Sequence, residues 1–353
     1  MKNIINKKIK KIKGIDKKIY HKTELLLDRL TKPKDSLGRL EEFAKRYCAI
    51  RGEEYPKIDK KVIVAFAADH GITEEGVSAF PKEVTVQMVL NFLKGGAGIN
   101  VLARHVGAEV LVVDIGVEHD FKKRKNLILN KINYGTKNFS KGPAMSRKEA
   151  EASIERGIII ADKLKSHGYQ IIGTGDMGIG NTTPSSAVIS VMTSSHPKDV
   201  TGRGTGIGDR AYLRKIKLIE KGIKINRPDP TDPIDVLTKV GGFEIGGIAG
   251  LIIGSSANRI PVVVDGFISG AGALIALKLA PNVKEYIFFS HISEEKGHKV
   301  LFDYLGEKPI LDLSLRLGEG TGAALSISLI EAGVKILTEM ATFEEAHVSQ
   351  SNK

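Results

Sequence analysis

The sequence predicts an α/β protein with a Rossmann-like, mainly parallel sheet flanked by helices and a small helical lobe built from both chain ends. Short β-branched apolar runs recur at residues 61–68, 109–117, 259–266 and 286–290. Each has the length and composition of a strand buried on both faces. Between the first two runs, Val86, Val89, Leu90 and Leu93 recur at i, i+3, i+4 and i+7, the mark of an amphipathic helix. Strand, helix and strand in that order form a right-handed βαβ unit. The runs end in polar tips, Asp69-His70, Asp265 and Ser290-His291. Open α/β sheets place their ligands at such carboxyl ends.

At 353 residues the chain suits one large domain plus a small lobe. The expected division is residues 1–55 and 323–353 for the lobe and 56–322 for the large domain. Cys48 is the single cysteine, so no internal disulfide or C-x-x-C pair exists. A reducing, cytoplasmic setting follows. The net charge of +12 is concentrated in a lysine-rich start, MKNIINKKIKKIKG, which reads as a solvated helix or a loose arm. With no tryptophan and no basic stretch interleaved with aromatics, nucleic-acid binding is not expected. The start lacks the apolar core of a signal peptide. No run free of glycine and charge reaches the roughly 18 residues that would cross a bilayer.

The first 50 residues look helical and polar. A turn at residues 33–36 precedes a helix that Asp35 or Ser36 could cap, leading to Glu41 and Glu42. Residues 71–81 read as a loop. Gly95-Gly96 interrupts the amphipathic helix, which resumes at residues 97–106. Residues 118–145 look irregular, with a short strand at 127–132. Ser146 caps the next helix, with Glu149 at capping-box spacing and Ala150, Ile154, Ile158 and Ala161 as its core stripe. A glycine-rich helix for close packing spans 240–254 and carries Glu244. Asp265 precedes a Gly/Ser loop, and residues 325–348 give one or two helices.

Two stretches point to chemistry. A strand at 170–173 runs into GTGDMGIGNTTP, from Gly173, with a helix from Ser185. A strand, glycine loop and helix cradle a phosphate, because bare N–H groups and the helix dipole favour an anion. Gly175, Asp176, Gly178, Gly180, Asn181 and Thr182 are the candidates. The pattern is neither a Walker A sequence nor a clean dinucleotide fingerprint. A second glycine loop, residues 201–209, leads into a basic helix with Arg210, Arg214, Lys215 and Lys217. Lys215 could reach an anion, although a lysine run is commonly a solvated face. The second stretch is LRLGEGTGAAL, from Leu315. Glu319 sits between two glycines just before an apolar helix. It is either a general base facing a cleft or a cap for that helix. Asp69, His70, Asp265 and Ser290 are further candidates, with turn-stabilising roles as the alternative for Asp69 and His70.

In order along the chain stand TKPKDSLGRLE from Thr31, AADHGITEEGVSAFPKEVT from Ala67, GPAMSR from Gly142 and GTGDMGIGNTTP. DVLTKVGGFEIGGIAG from Asp235, VVVDGFISGAGALIA from Val262, SHISEEKGHK from Ser290 and LRLGEGTGAAL complete the series. With these motifs the chain resembles the nicotinate-nucleotide:5,6-dimethylbenzimidazole phosphoribosyltransferase family of cobalamin lower-ligand assembly. The resemblance implies transfer of phosphoribosyl from nicotinate mononucleotide to a nitrogen of an aromatic lower-ligand base. The products would be nicotinate and α-ribazole 5′-phosphate, inverted at the anomeric carbon. It implies no metal or redox cofactor, and a homodimer. The family's base falls on Glu319, its phosphate loop on residues 175–183, and a lysine after the second glycine loop on Lys215. Asp176 stands where the family often has glutamate. Positions that hold the acceptor base through polar side chains in some members fall on Phe80 and Met88 here, with Ser78 and Gln87 adjacent. A more apolar acceptor pocket follows, and other benzimidazoles, adenine or a phenol stay open as acceptors. Two other readings are a dinucleotide-dependent oxidoreductase and a non-catalytic nucleotide-binding protein. The first would need G-x-G-x-x-G after the first strand, where Asp-His-Gly stands instead.

Overall fold

In the computed structural model, which describes residues 2–349, six strands form one sheet. They are β1 (Lys61–Ala68), β2 (Ala108–Gly116), β3 (Leu127–Leu129), β4 (Ile171–Met177), β5 (Val262–Val264) and β6 (Ile287–Phe289). Their spatial order is β3-β2-β1-β4-β5-β6 and every pairing is parallel. The chain therefore winds one way from β1 to β3 and the other way from β4 to β6. The reversal lies between β1 and β4, and a crevice opens there at the strands' carboxyl ends. All eight residues of β1 are buried, because helices cover both faces of the sheet.

The helices are α1 (Lys2–Ile9), α2 (Lys17–Leu27), α3 (Arg39–Arg51), α4 (Val84–Lys94), α5 (Gly98–His105), α6 (Arg147–Ser166) and α7 (Thr182–Thr193). They continue as α8 (Pro197–Val200), α9 (Asp209–Asn226), α10 (Pro233–Val240), α11 (Phe243–Ala257), α12 (Phe267–Leu279), α13 (Lys296–Leu305) and α14 (Thr321–Glu339). Helix α11 lies on the Phe66 side of β1, and the start of α14 lies on the Ile63 side. Outside α11 packs α6, with backbone against backbone. A Cβ on Gly250 would overlap the Ile154 carbonyl, and one on Gly157 would overlap that of Gly247. Ser146 caps α6 in a capping box with Glu149, as its sequence predicts. Helix α14 is long and apolar enough to cross a bilayer by length and composition alone, but more than half of that window is buried in the fold.

A second, smaller apolar cluster joins Leu27, Leu30, Ala44, Cys48 and Leu337 from both ends of the chain. A bridge between Leu30 and Thr342 ties the two ends. Helices α3 and α14 also feed the main core, through Phe43 and Tyr47 and through Ile327 and Ile330.

Several elements differ from the sequence expectation. The lysine-rich start is neither loose nor wholly solvated: Ile5 and Ile12 are buried in the main core, and Lys8 pairs with Asp162 of α6. Neither Asp35 nor Ser36 caps α3, which starts at Arg39 after Gly38. Instead Glu41 accepts the Leu37 N–H at 3.0 Å and pairs with buried Lys32 at 2.8 Å. Residues 71–75 form a 3-10 turn within the expected loop. The inward stripe of α4 is Thr85, Val89 and Phe92, while Val86, Leu90 and Leu93 are only partly buried. Strand β4 runs on to Met177, so Gly173 and Gly175 are strand residues and not loop residues. The stretch expected as a Gly/Ser loop after Asp265 is α12, where Gly270 and Gly272 let Leu301 and Ile248 come close. These glycines look loop-like in sequence because they give up side chains to admit neighbours.

Candidate active site

A cavity of about 650 Å³ lies over the crevice. Its floor comes from the end of β4 and the turn into α7, Asp176 to Thr182, and from Gly266, His291 and Glu319. Its wall is apolar on one side, with Val77, Phe80, Val84 and Met88 facing Leu315 and Leu317. Val84 and Met88 are one helical turn apart on α4, which puts both on one face.

Glu319 owes its place to backbone geometry. Gly318, Glu319 and Gly320 all have positive φ, at 80°, 64° and 100°. A non-glycine residue in this region is strained, and such strain concentrates at functional positions. Gly175 permits the turn to seat on β4, since a Cβ there would overlap the Glu319 carbonyl. The Glu319 carboxylate is 4% exposed and accepts the Ile99 N–H through Oε2 at 3.0 Å. Its Oε1 accepts no hydrogen bond among the described residues and is left to the cavity. Burial raises its pKa above the ordinary glutamate value, against the pull of the Ile99 amide.

Glu319 does not cap α14. Asp265 does, accepting the Gly320 N–H at 3.2 Å and the Ala323 N–H at 3.0 Å. Burial pushes Asp265 up to about 7, against the pull of these amides. The cap carboxylate thus comes from the tip of β5, while the glutamate beside the helix stays available.

Asp176, next to last in β4, lies on the cavity floor. Asn181 donates to its Oδ2 at 2.9 Å, and its buried Oδ1 has no partner. Burial and the nearby Asp265, Glu244 and Glu319 carboxyls hold Asp176 well above the usual carboxylate range, against Asn181. The Asn181 side chain turns to Asp176 and no side chain caps α7; the Thr183 N–H bonds the Gly180 carbonyl and Pro184 has no N–H, so among the described residues the Thr182 amide is the free donor of the first turn. Lys215 completes this corner from α9. It is fully buried, and its Nζ donates to Thr182 Oγ1 at 2.8 Å and to the Gly202 carbonyl at 3.3 Å. Burial lowers it to about 8, with Glu295 opposing. The Thr182 amide at a helix N-terminus, its hydroxyl and a buried ammonium suit a phosphate.

The remaining sequence candidates separate into cavity and scaffold. Gly178, Gly180, Asn181, Thr182, Ser78, Phe80 and Met88 line the cavity, while Gly175 lies beneath it and Gln87 is exposed outside it. Asp69 turns away, accepting the Glu118 N–H at 2.8 Å. His70 is buried behind Gly178, with its Nε2 3.1 Å from Glu244. Ser290 donates to the Asp265 carbonyl at 2.6 Å, and its neighbour His291 faces the cavity instead. His291, Ser293, Glu295, Thr205 and Arg316 are lining residues that sequence reasoning did not select. For His291 the signal was the strand tip, where only one of two adjacent side chains can face the crevice.

The arrangement joins a phosphate corner, a buried carboxylate and an apolar wall. The family model described as Phosphoribosyltransferase matches residues 12–348. The chain belongs to the nicotinate-nucleotide–dimethylbenzimidazole phosphoribosyltransferase family. The enzyme of that name from Geotalea uraniireducens is 60% identical over 348 residues, 99% of each chain. The one from Chloroflexus aggregans is 55% identical over 326 residues, 92% of each chain. A crystal structure of CobT from Thermus thermophilus superposes with a TM-score of 0.90 at 42% identity, covering 95% of this chain and all of that one. The chain is thus a phosphoribosyltransferase of the cobalamin-biosynthesis type.

Proposed function

We propose that the chain transfers phosphoribosyl from nicotinate mononucleotide to 5,6-dimethylbenzimidazole or a related lower-ligand base. The observation that carries this reading is the Glu319 carboxylate, buried between the phosphate corner and the apolar wall with one oxygen free. The phosphate binds at the α7 N-terminus beside Lys215. The acceptor ring stacks along Phe80, Val84 and Met88. Its ring N–H donates to Glu319, and its other nitrogen attacks the anomeric carbon from the face opposite nicotinate. The C–N bond to nicotinate breaks with its electron pair going to the pyridine nitrogen, which becomes neutral. The acceptor's proton passes to Glu319, so charge balances and configuration inverts. Positive charge on the sugar carbon is greatest midway, before Glu319 has taken the acceptor's proton, and its carboxylate stabilises it. Holding both reactants in line supplies much of the rest.

The test is incubation of purified protein with nicotinate mononucleotide and dimethylbenzimidazole, benzimidazole, adenine or p-cresol in turn. Nicotinate release that depends on the acceptor, with formation of a ribotide, is expected. Bound nucleotide with no release for any acceptor would favour a nucleotide-binding protein without turnover.

Two further results are expected at this site. The apolar wall should select against polar-edged acceptors such as adenine. Met88→Gln should shift relative kcat/KM toward them by roughly tenfold, the scale of one hydrogen bond. Unchanged ratios across the panel would mean that Met88 does not meet the acceptor. Lys215 at about 8 loses its charge well below the ordinary lysine range. Nucleotide affinity should therefore weaken as pH rises through about 8, since the free protein must first take up a proton. Titration calorimetry from pH 7 to 9.5 reads this, and Lys215→Met should bind weakly with no such pH step.

A further inference from the structure

Resting on the transferase reading, we propose that His291 is a ribose-recognition residue whose bare Nε2 accepts a hydrogen bond from a sugar hydroxyl of the nucleotide. The hydrogen bonds around the ring fix its tautomer. Ser290 Oγ lies 2.6 Å from the Asp265 carbonyl oxygen, which can only accept, so the serine hydrogen is committed there. The same Oγ lies 3.0 Å from His291 Nδ1 and can meet it only as an acceptor. Nδ1 therefore carries the ring hydrogen and Nε2 carries the lone pair. Asp265 Oδ1 is 3.9 Å from Nδ1, beyond a hydrogen bond, and is engaged by the Ala323 amide.

A half-turn of the ring would put a carbon where Nδ1 stands and give up the Ser290 hydrogen bond. The ring is 2% exposed and wedged against Gly322, where a Cβ would overlap it. Nε2 has no partner among the described residues and lies on the cavity side: a Cβ on the lining residue Gly266 would come within 3.2 Å of it. Burial lowers His291 to about 4, so the ring stays neutral near pH 7. A single proton, held by Ser290, leaves nothing on Nε2 to donate.

A neutral lone pair turned into a site selects a donor. Phosphate and the nicotinate carboxylate offer only acceptor oxygens near neutral pH, so neither suits Nε2. The acceptor base has one ring N–H, and Glu319 takes it. The sugar hydroxyls are the donors that remain. The sequence marks this position only as a strand tip, and the pairing with Ser290 is what gives it direction.

The test compares nicotinate mononucleotide with its 2′-deoxy and 3′-deoxy analogues by equilibrium binding and by kcat/KM. In the unmodified protein, one deoxy analogue should bind about tenfold more weakly, as for loss of a neutral hydrogen bond at a buried acceptor. His291→Asn keeps a group at the Nδ1 position to meet Ser290 but has no atom at Nε2. It should bind the parent nucleotide about tenfold more weakly and be indifferent to removal of that same hydroxyl. His291→Gln, whose amide oxygen can reach the Nε2 position, should regain part of the discrimination. An unchanged deoxy penalty in the asparagine variant overturns the assignment. So does equal binding of all three nucleotides by the unmodified protein, which decides the matter even if a variant fails to fold. Absence of turnover with any acceptor, alongside the expected binding pattern, would instead count against the transferase reading alone.

Discussion

Glu319→Gln should bind nicotinate mononucleotide almost as the unmodified protein does and turn over roughly 10²–10⁴-fold more slowly, the scale for losing a general base. Glutamine has the same shape and keeps an oxygen for the Ile99 N–H, so the positive-φ turn has no reason to move. What it lacks is a second oxygen able to take a proton. The pH profile sharpens the expectation. The base works only when ionised, and burial raises the Glu319 pKa above the ordinary 4.5. Activity should therefore fall as pH drops through a value above 4.5 and level off on the alkaline side of it. The residual activity of the glutamine variant should lack that limb. Nucleotide binding measured alongside turnover separates this outcome from misfolding, and undiminished turnover would take the base role away from Glu319.

Gly250→Val should remove most of the folded protein. Gly250 lies where α11 crosses α6, and any Cβ there overlaps the Ile154 carbonyl. The obstacle is backbone inside a helix, which has no rotamer to change. Overpacking ordinarily costs about 1–3 kcal/mol, and a branched side chain against a helix carbonyl belongs at or beyond the upper end. A lower thermal midpoint, or protein recovered only in aggregates, is the expected result. Gly168→Ala is the control: a Cβ there meets nothing within 4 Å, but its φ of +79° still adds strain, so its smaller loss calibrates the measurement. A Gly250→Val midpoint equal to that of the unmodified protein would show that the helix pair can separate freely.

Much of this architecture was legible because burial on both faces leaves long apolar runs. Strand β1 matches its run residue for residue, and the helix after Glu319 starts at Thr321, four residues before the stretch expected to be helical. The errors over β4 and α12 share one cause. Gly173 and Gly175 weaken the strand signal of β4, yet they alternate along it, and on that face the Glu319 turn and α14 rest. Ser269, Gly270 and Gly272 read as a loop but are the small face of a packed helix. At the site, Glu319 was legible as an acid held between glycines before a helix. That Asp265 supplies the cap was not, because the two are far apart in sequence and meet only when β5 lies beside β4. The burial of Lys215 was equally hidden, since α9 carries basic residues on several sides and only the fold shows which one turns inward.

The wall from Val77 to Met88 and the turn that holds Glu319 belong to separate stretches of chain, and the wall's cavity-facing side chains are not the ones that anchor α4, which are Thr85, Val89 and Phe92. Ser78 and Ala79 meet the opposite side of the cavity at the Thr205 hydroxyl, at 3.3 and 3.0 Å. Divergence can therefore act on one without the other. A lineage whose supply of aromatic bases changes can rewrite the wall side chain by side chain and keep its means of deprotonating whatever base enters. A shift in Glu319 itself would have to carry β4 and α14 with it. Relatives that differ in acceptor should therefore differ first around Phe80 and Met88, and a graft of that segment is the economical way to redirect the enzyme.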